Sequence, residues 1–290
     1  MAKTCQRFAI GNGESEMQPN IDSPESASPP DLQSSATQPP IEPDPNAALK
    51  LFFIRHGETT WSRSGQFTGR TDIPLTAYGC ETARQLGACL RDVSFSHVLT
   101  SPLQRARQTG ELAGLNLPVE VEPDLIEWDN GDDEGRTTAE ILVERADWNL
   151  FRDGSPNGES PAQISVRVDR LIARLKSLTG NVALFSHSHV GRVLVARWIG
   201  LTVAQAQPFL LRTSSVSILG YQHDRRDLPA IELWNAVPYE TFGSFLDQTS
   251  SGKTQSFKQQ ALERWENEGG ETRTRFNLPH GQANANPNFT

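Results

Sequence analysis

The chain has 290 residues and a formal net charge of −8 at pH 7. Residues 1–48 carry seven acids against Lys3 and Arg7, so the middle of the chain is near neutral and offers no basic stripe for nucleic acid. No segment reaches the roughly 18 apolar residues of a membrane-spanning helix, and the N-terminus resembles neither a secretory signal nor a transit peptide. We therefore expect a cytoplasmic protein without a nucleic-acid or membrane partner.

Composition divides the chain into three parts. Residues 1–48 are acidic and rich in Pro and Ser, which is typical of a disordered segment. Residues 239–290 are polar and are predicted to be a mostly disordered tail, with at most one short helix around 255–267. Residues 49–238 are long enough for one domain with a sizeable core.

Strand and helix patterns alternate through the middle block. Strands are predicted at 50–55, 97–100, 119–122, 181–186, 215–221 and 230–235, and helices at 76–91, 102–114, 137–146, 160–178 and 190–199. Ser101 is the predicted N-cap of the second helix, and Pro102 is its predicted first residue. The alternation predicts an α/β fold of three layers (α/β/α), with a mainly parallel central sheet and helices on both faces.

Basic and histidine side chains follow three of the predicted strands. The first strand runs into Arg55 and His56, the second is followed by Arg105 near the start of a helix, and the fourth runs into His187. Ligands of open α/β sheets bind beyond the carboxyl ends of the strands. A guanidinium is always charged and bidentate, and the positive end of a helix also favours an anion. These strand ends therefore predict a site for an oxyanion such as phosphate.

The same residues carry a family resemblance. The motifs RHGET, SPLQRA and FSH resemble those of the histidine phosphatase superfamily, also called phosphoglycerate-mutase-like; they stand at residues 55–59, 101–106 and 185–187. The sequence LIE at 125–127, followed by Gly131 and Glu134-Gly135, is similar to the acid-bearing loop of that family. The resemblance covers about residues 50–236. Within the family, residues 60–72 most resemble the branch of sedoheptulose-1,7-bisphosphatases and acid phosphatases.

The resemblance implies a role for each catalytic residue. His56 is the nucleophile that forms a phosphohistidine, and Glu127 is the general acid and then the general base. Arg55, Arg105 and His187 bind the equatorial phosphate oxygens. No metal or other cofactor is implied, since these side chains supply the positive charge.

Further residues are expected around the substrate: Ser62, Thr68, Gly69, Ser188, His189 and Arg192. Ser62 stands where many relatives have asparagine, and Thr68 and Gly69 would line the same pocket. Ser188 replaces the glycine that usually follows the second histidine. His189 is either a ligand for a distal phosphate or a polar residue at the pocket rim, with Arg192 a weaker candidate for the distal role. Trp128 is the tryptophan most expected to touch substrate, because it adjoins Glu127.

The resemblance predicts a metal-independent phosphatase that acts on a small phosphorylated metabolite, with a sugar bisphosphate as the expected substrate. One alternative is a phosphoglycerate mutase, although only 59 residues separate Glu127 from His187 and mutases carry a longer insertion there. A broad acid or phosphoserine phosphatase is another. An inactive interaction protein on the same fold is the alternative of a different class. The oligomeric state is left open by the sequence.

Overall fold

Six strands form a single sheet in residues 47–237, the part of the chain that the structure, a computed structural model, describes. They are β1 (Lys50–Arg55), β2 (Phe95–Thr100), β3 (Val119–Val121), β4 (Asn181–Ser186), β5 (Val216–Tyr221) and β6 (Pro229–Ala236). Apart from residues 47 and 48, the two predicted tails lie outside the described residues.

The sheet has the order β3-β2-β4-β1-β5-β6. The pairs β3–β2, β2–β4 and β4–β1 are parallel, whereas β5 is antiparallel to both β1 and β6. Arg55 pairs with Ser186 and Thr100 with Phe185, so β1, β2 and β4 end side by side. The predicted mainly parallel sheet is confirmed, and its register brings the three functional strand ends to one edge.

Helices cover both faces of the sheet. They are α1 (Thr60–Ser64), α2 (Ala77–Leu90), α3 (Gln104–Ala113), α4 (Thr138–Glu144), α5 (Leu150–Asp153), α6 (Pro161–Leu175) and α7 (Ser188–Trp198). The α6–α7 pair packs on one face and the α2–α3 pair on the other. The short helices α1 and α5 were not predicted, because one turn of helix leaves no periodic apolar pattern to detect.

Side chains along β1 alternate between two hydrophobic cores, one on each face of the sheet. Leu51 and Phe53 enter the larger core, which α6 and α7 complete, and Phe52 and Ile54 enter the smaller core against α2 and α3. A strand with both faces covered is apolar throughout, as expected of the parallel part of a three-layer fold. Because β1 lies in the middle of the sheet, the residues that follow it are rigidly placed.

The predicted start of α3 is wrong. The helix begins at Gln104 instead of Pro102, and Leu103 at the N-cap makes no side-chain cap bond. Asp72 accepts the hydrogen bond of the Gln104 amide at 2.8 Å, so a distant carboxylate stabilises this helix end. The Ser101 hydroxyl is instead directed to His187.

Two glycines let the loop after β1 approach helix α2 backbone to backbone. A Cβ on Gly57 would lie 2.5 Å from the carbonyl oxygen of Gly79, and a Cβ on Gly79 would overlap the carbonyl oxygen of Glu58. Thr76 strengthens this contact, because its amide donates to the Glu58 carbonyl at 2.9 Å. The loop that carries His56 is therefore seated directly on the first turn of α2.

This contact predicts that Gly79→Ala destabilises the protein, although alanine is the better helix former by about 1 kcal/mol. Overlap with the Glu58 carbonyl should lower the free energy of unfolding by about 1–3 kcal/mol, as measured in urea. Gln85→Ala, an exposed change in the same helix, is the control and should be almost neutral. A Gly79→Ala protein as stable as the wild type would contradict the packing described.

Candidate active site

A cavity of about 380 Å³, including space open to solvent, lies at the carboxyl end of β1. Arg55, His56 and Glu127 line it, together with Ser188 and His189 at the start of α7. Ser62 and Thr68, from the segment after β1, line the opposite part. Seven of the predicted site residues thus surround one cavity, although they come from four separate stretches of the chain.

His56 is held in one tautomer. Its Nδ1 lies 2.7 Å from the carbonyl oxygen of Gly57. A carbonyl only accepts hydrogen bonds, so Nδ1 carries the proton and Nε2 keeps its lone pair. Burial, followed by the nearby Arg105 and Arg55 cations, lowers the pKa of His56 well below its ordinary value and outweighs the hydrogen bond to Gly57. The ring is therefore neutral at physiological pH, as a nucleophile requires.

Arg105 and His187 form a buried pair behind His56. The Nε of Arg105 donates to His187 Nδ1 at 3.1 Å, which leaves the ring proton on Nε2. That Nε2 donates to the Ser101 hydroxyl at 2.6 Å. Burial and the Arg105 cation lower the pKa of His187, and its ring centre lies 5.2 Å from that of His56. Both nitrogens of His187 are thus directed to protein atoms in this structure.

Sequence reasoning missed Ser101 as a site residue. Its hydroxyl accepts the hydrogen bond of His187 Nε2 and also accepts from the Leu103 amide at 3.3 Å. The signal was present, because serine directly follows β2, but a serine before proline and a helix was interpreted as a cap.

Backbone carbonyls hold the rest of the Arg105 side chain. Its terminal nitrogens donate to the carbonyl oxygens of Thr71, Thr68 and Gly69 at 3.0, 3.2 and 3.0 Å. Burial lowers the pKa of Arg105 to about 10, against the opposing effects of Glu127, Asp72 and Glu134. The guanidinium therefore stays charged at neutral pH.

Glu134 shapes the loop that holds Arg105. Its carboxylate accepts from the amides of Arg70 and Thr71 at 2.5 and 2.8 Å and also binds the Thr71 hydroxyl. Gly69 is needed here, since a Cβ would lie 2.7 Å from the Trp128 carbonyl oxygen. Gly69 was expected to line the pocket; it packs instead behind the wall, where it offers Arg105 a carbonyl.

Glu127 faces the start of α7. Its Oε1 accepts from the amides of Trp128 and Val190 at 2.8 and 2.9 Å, and its Oε2 accepts from the His189 amide at 3.1 Å. The positive end of the helix dipole thus lies against this carboxylate. The carboxyl group borders the cavity that also contains His56, as an acid serving the same reaction requires.

Aromatic rings surround His189. Its ring stacks on Phe67 with centres 5.4 Å apart and meets the edge of Phe151 at 5.9 Å. The His189 Nδ1 lies 3.8 Å from Glu127 Oε2. This places His189 inside the cavity wall and next to the carboxyl group, instead of at an exposed rim.

Three other predicted residues lie differently from what was expected. Ser62 borders the cavity, but its hydroxyl donates to the Thr59 carbonyl at 3.1 Å and completes the capping box of α1. Arg192 is fully buried, with its guanidinium 4.4 Å above the Phe151 ring and bonded to the Gln207 carbonyl. Trp128 is also fully buried, so the prediction that it touches substrate is wrong.

Within the described residues, no group of three or more His, Cys, Asp or Glu side chains is arranged to hold a metal ion. The guanidinium of Arg55 lies beside His56 and is anchored by the carbonyl of Leu211. Arg55 places a positive charge at the cavity wall.

The family model of the histidine phosphatase superfamily (branch 1) matches residues 51–236. The chain belongs to this superfamily. Its fold and its phosphatase relatives make it a phosphoric monoester hydrolase. In residues 47–237 no helix is both long and apolar enough to cross a membrane.

The alignments of this chain with named relatives cover most of the length of each relative. An acid phosphatase of Mycobacterium tuberculosis is 38% identical over 188 residues, or 63% of this chain and 92% of the relative. The sedoheptulose 1,7-bisphosphatase of Saccharomyces cerevisiae is 32% identical over 253 residues, or 65% of this chain and 93% of the relative. A solved structure of an open reading frame product from M. tuberculosis superposes with a TM-score of 0.62 and has 33% sequence identity. The match covers 67% of this chain and 100% of the solved chain.

The buried cations predict the acid limit of activity. Because burial, Arg105 and Arg55 lower the pKa of His56, the neutral ring persists below its ordinary pKa, and kcat/KM should fall only at distinctly acidic pH. Arg105→Gln removes one of these causes, so the acid limb should move to higher pH. The pH dependence of kcat/KM for an aryl phosphate measures this shift, and NMR titration of the His56 ring replaces it where turnover is too slow.

Arg107→Gln is the matched control, since Arg107 is an exposed residue of the same helix. Its acid limb should coincide with that of the wild type. An unshifted pKa of His56 in Arg105→Gln would show that the Arg105 cation does not act on this ring.

Proposed function

We propose that this hydrolase removes phosphate from a small phosphomonoester, a sugar phosphate or bisphosphate, through a phosphohistidine and without a metal ion. The observation that carries the proposal is the state of His56. A neutral ring, fixed through Nδ1 and bordering the cavity with Nε2 unprotonated, lies beside the Arg55 and Arg105 cations. This arrangement suits attack on a phosphorus atom whose oxygens bear negative charge.

In the first step, Nε2 of His56 attacks phosphorus and the bond to the leaving oxygen breaks. Arg55 offsets the charge on the phosphoryl oxygens directly, while the buried Arg105–His187 pair contributes positive charge from behind. Glu127, in its protonated form, gives its proton to the departing alkoxide. The products of this step are the alcohol, an ionised Glu127 and the phosphohistidine.

In the second step, water attacks the phosphohistidine and Glu127 takes up the proton of that water. The phosphorus–nitrogen bond breaks, inorganic phosphate leaves and His56 returns to its neutral form. The site is restored, and the net reaction consumes one water for each phosphomonoester. Ser188, whose buried hydroxyl borders the cavity, is suited to donate one hydrogen bond to the phosphoryl group.

Two features support a sugar bisphosphate as the substrate class. The yeast relative is a bisphosphatase, and the segment 60–72 that resembles this branch forms one wall of the cavity. For a distal phosphate, His189 is better placed than Arg192, because His189 borders the cavity and Arg192 is buried against Phe151. The short connection between Glu127 and His187 favours hydrolysis over the mutase alternative, since little chain is available there to shield the phosphohistidine from water.

The mechanism predicts that a labelled substrate transfers its phosphoryl group to His56. Rapid acid-free quenching should trap an acid-labile, alkali-stable phosphoenzyme in the wild type. His56→Ala should lose this species and almost all turnover, because no other ring takes its place. His97→Ala is the control, since His97 is exposed on β2, and it should keep both. A labelled, active His56→Ala protein would rule out His56 as the nucleophile.

The substrate class is tested by phosphate release in EDTA from sedoheptulose-1,7-bisphosphate, fructose-1,6-bisphosphate, 3-phosphoglycerate, phosphoserine and an aryl phosphate. We expect undiminished turnover in EDTA and the highest kcat/KM for a bisphosphate. Similar values across the panel would favour a broad acid phosphatase. Phosphoryl transfer between positions of the sugar acid, without release, would favour the mutase. Loss of activity in EDTA would overturn the metal-free mechanism.

A further inference from the structure

The segment that carries Glu127 has little regular structure of its own. Residues 122–129, which we name the acid loop, follow β3 and contain only the single 3-10 turn Pro123–Leu125. A proton donor must nevertheless be held within hydrogen-bond distance of the leaving oxygen, and a misplacement of 1 Å can cost about 100-fold in rate. Contacts from outside the loop must therefore supply its rigidity.

Arg167, on α6, supplies one set of these contacts. Its NH1 donates to the carbonyl oxygens of Asp124 and Ile126, both at 2.8 Å. Ile126 immediately precedes Glu127, so the guanidinium is hydrogen-bonded to the main chain next to the acid. The Arg167 side chain is buried, which excludes a merely solvated surface role.

Glu159 supplies the second set, on the other side of Glu127. Its carbonyl oxygen accepts from Trp128 Nε1 at 2.6 Å, and its amide donates to the Asp129 carbonyl at 2.9 Å. Trp128 immediately follows Glu127 and is fully buried. Hydrogen bonds thus hold the main chain both before Glu127, at Ile126, and after it, at Asp129.

Arg167 and Glu159 also form an ion pair with each other. Arg167 Nε and NH2 donate to the two carboxylate oxygens of Glu159 at 2.8 and 2.6 Å. This bidentate pairing uses the planar fork of arginine, and the remaining nitrogen reaches the two loop carbonyls. Lysine, with a single ammonium group, cannot make all four contacts.

We propose that the Arg167–Glu159 pair is a positioning device that fixes Glu127 for proton transfer to the leaving group. The inference rests on the proposed function, in which Glu127 is the general acid. A buried ion pair is by itself weak evidence for added stability, because desolvation offsets the attraction between its charges. The placement of all its contacts around the acid loop gives this pair a more specific purpose.

The test compares an alkyl phosphate with 4-nitrophenyl phosphate. The alkoxide is a poor leaving group and needs the proton of Glu127, whereas 4-nitrophenolate leaves with little help. Glu127→Gln therefore defines the expected pattern, a loss in kcat/KM of about 10²–10⁴-fold on the alkyl phosphate and a much smaller loss on the aryl phosphate. Arg167→Lys should show the same pattern, with a loss of about 10–100-fold on the alkyl phosphate.

The structure supplies a matched control and a second variant. Arg197 forms a comparable bidentate pair with Asp169, at 2.8 and 2.9 Å, that does not touch the acid loop. Arg197→Lys should leave the ratio of the two kcat/KM values unchanged. Glu159→Gln keeps the side-chain shape but removes the charge, and it serves if Arg167→Lys unfolds at the assay temperature. Thermal unfolding of every variant separates positioning from loss of the folded state.

A double variant completes a double-mutant cycle of Glu127 and Arg167. In the Glu127→Gln background, Arg167→Lys should add no further selective loss on the alkyl phosphate, because the group that it positions is already absent. Equal losses on both substrates in Arg167→Lys and Glu159→Gln, with a selective loss in Glu127→Gln, would overturn the positioning inference alone. Equal losses in Glu127→Gln itself would instead overturn Glu127 as the acid, and the inference with it.

Discussion

The burial of positive charge without a neutralising carboxylate is the constraint on which the rest of this site depends. Arg105 is fully buried, and its closest partners are one imidazole nitrogen and three carbonyl oxygens. Carbonyl dipoles satisfy the donors of a guanidinium but leave its net charge in place. Burial, and after it the retained charge of Arg105, lowers the pKa of both His56 and His187, so both rings are neutral at physiological pH.

Arg167 is held differently from Arg105, because a carboxylate pairs with its charge. Arg55 donates a hydrogen bond to the Leu211 carbonyl, and Arg192 donates one to the Gln207 carbonyl. Arg167 contacts two carbonyls as well, but Glu159 neutralises it. Pairing allows Arg167 to hold the main chain at little electrostatic cost.

The fold and the gathering of polar side chains at the strand ends were predictable because they depend on short-range patterns. Apolar runs define β1 and β4, and the residues directly after them must lie at the sheet edge whatever the remainder of the chain does. Contacts made over long distances in sequence were not predictable. Gln104 is capped by Asp72, which freed Ser101 for His187, and nothing near residue 101 signals this exchange. Most acceptors of Arg167 are main-chain carbonyls, which every residue carries, so no sequence pattern marks them.

The two walls of the cavity are built from different parts of this molecule. His56 and His187 follow strands in the middle of the sheet, where neighbouring strands and two layers of helices fix them. The opposite wall, with Ser62, Phe67 and Thr68, comes from the segment beyond β1, and Phe67 stacks on His189 across the cavity. Substitutions in that segment change the shape of the cavity without moving the strand ends, because loops tolerate change that a packed sheet does not. The contact between Phe67 and His189 joins the wall formed by this segment to the start of α7, next to the Glu127 carboxyl group.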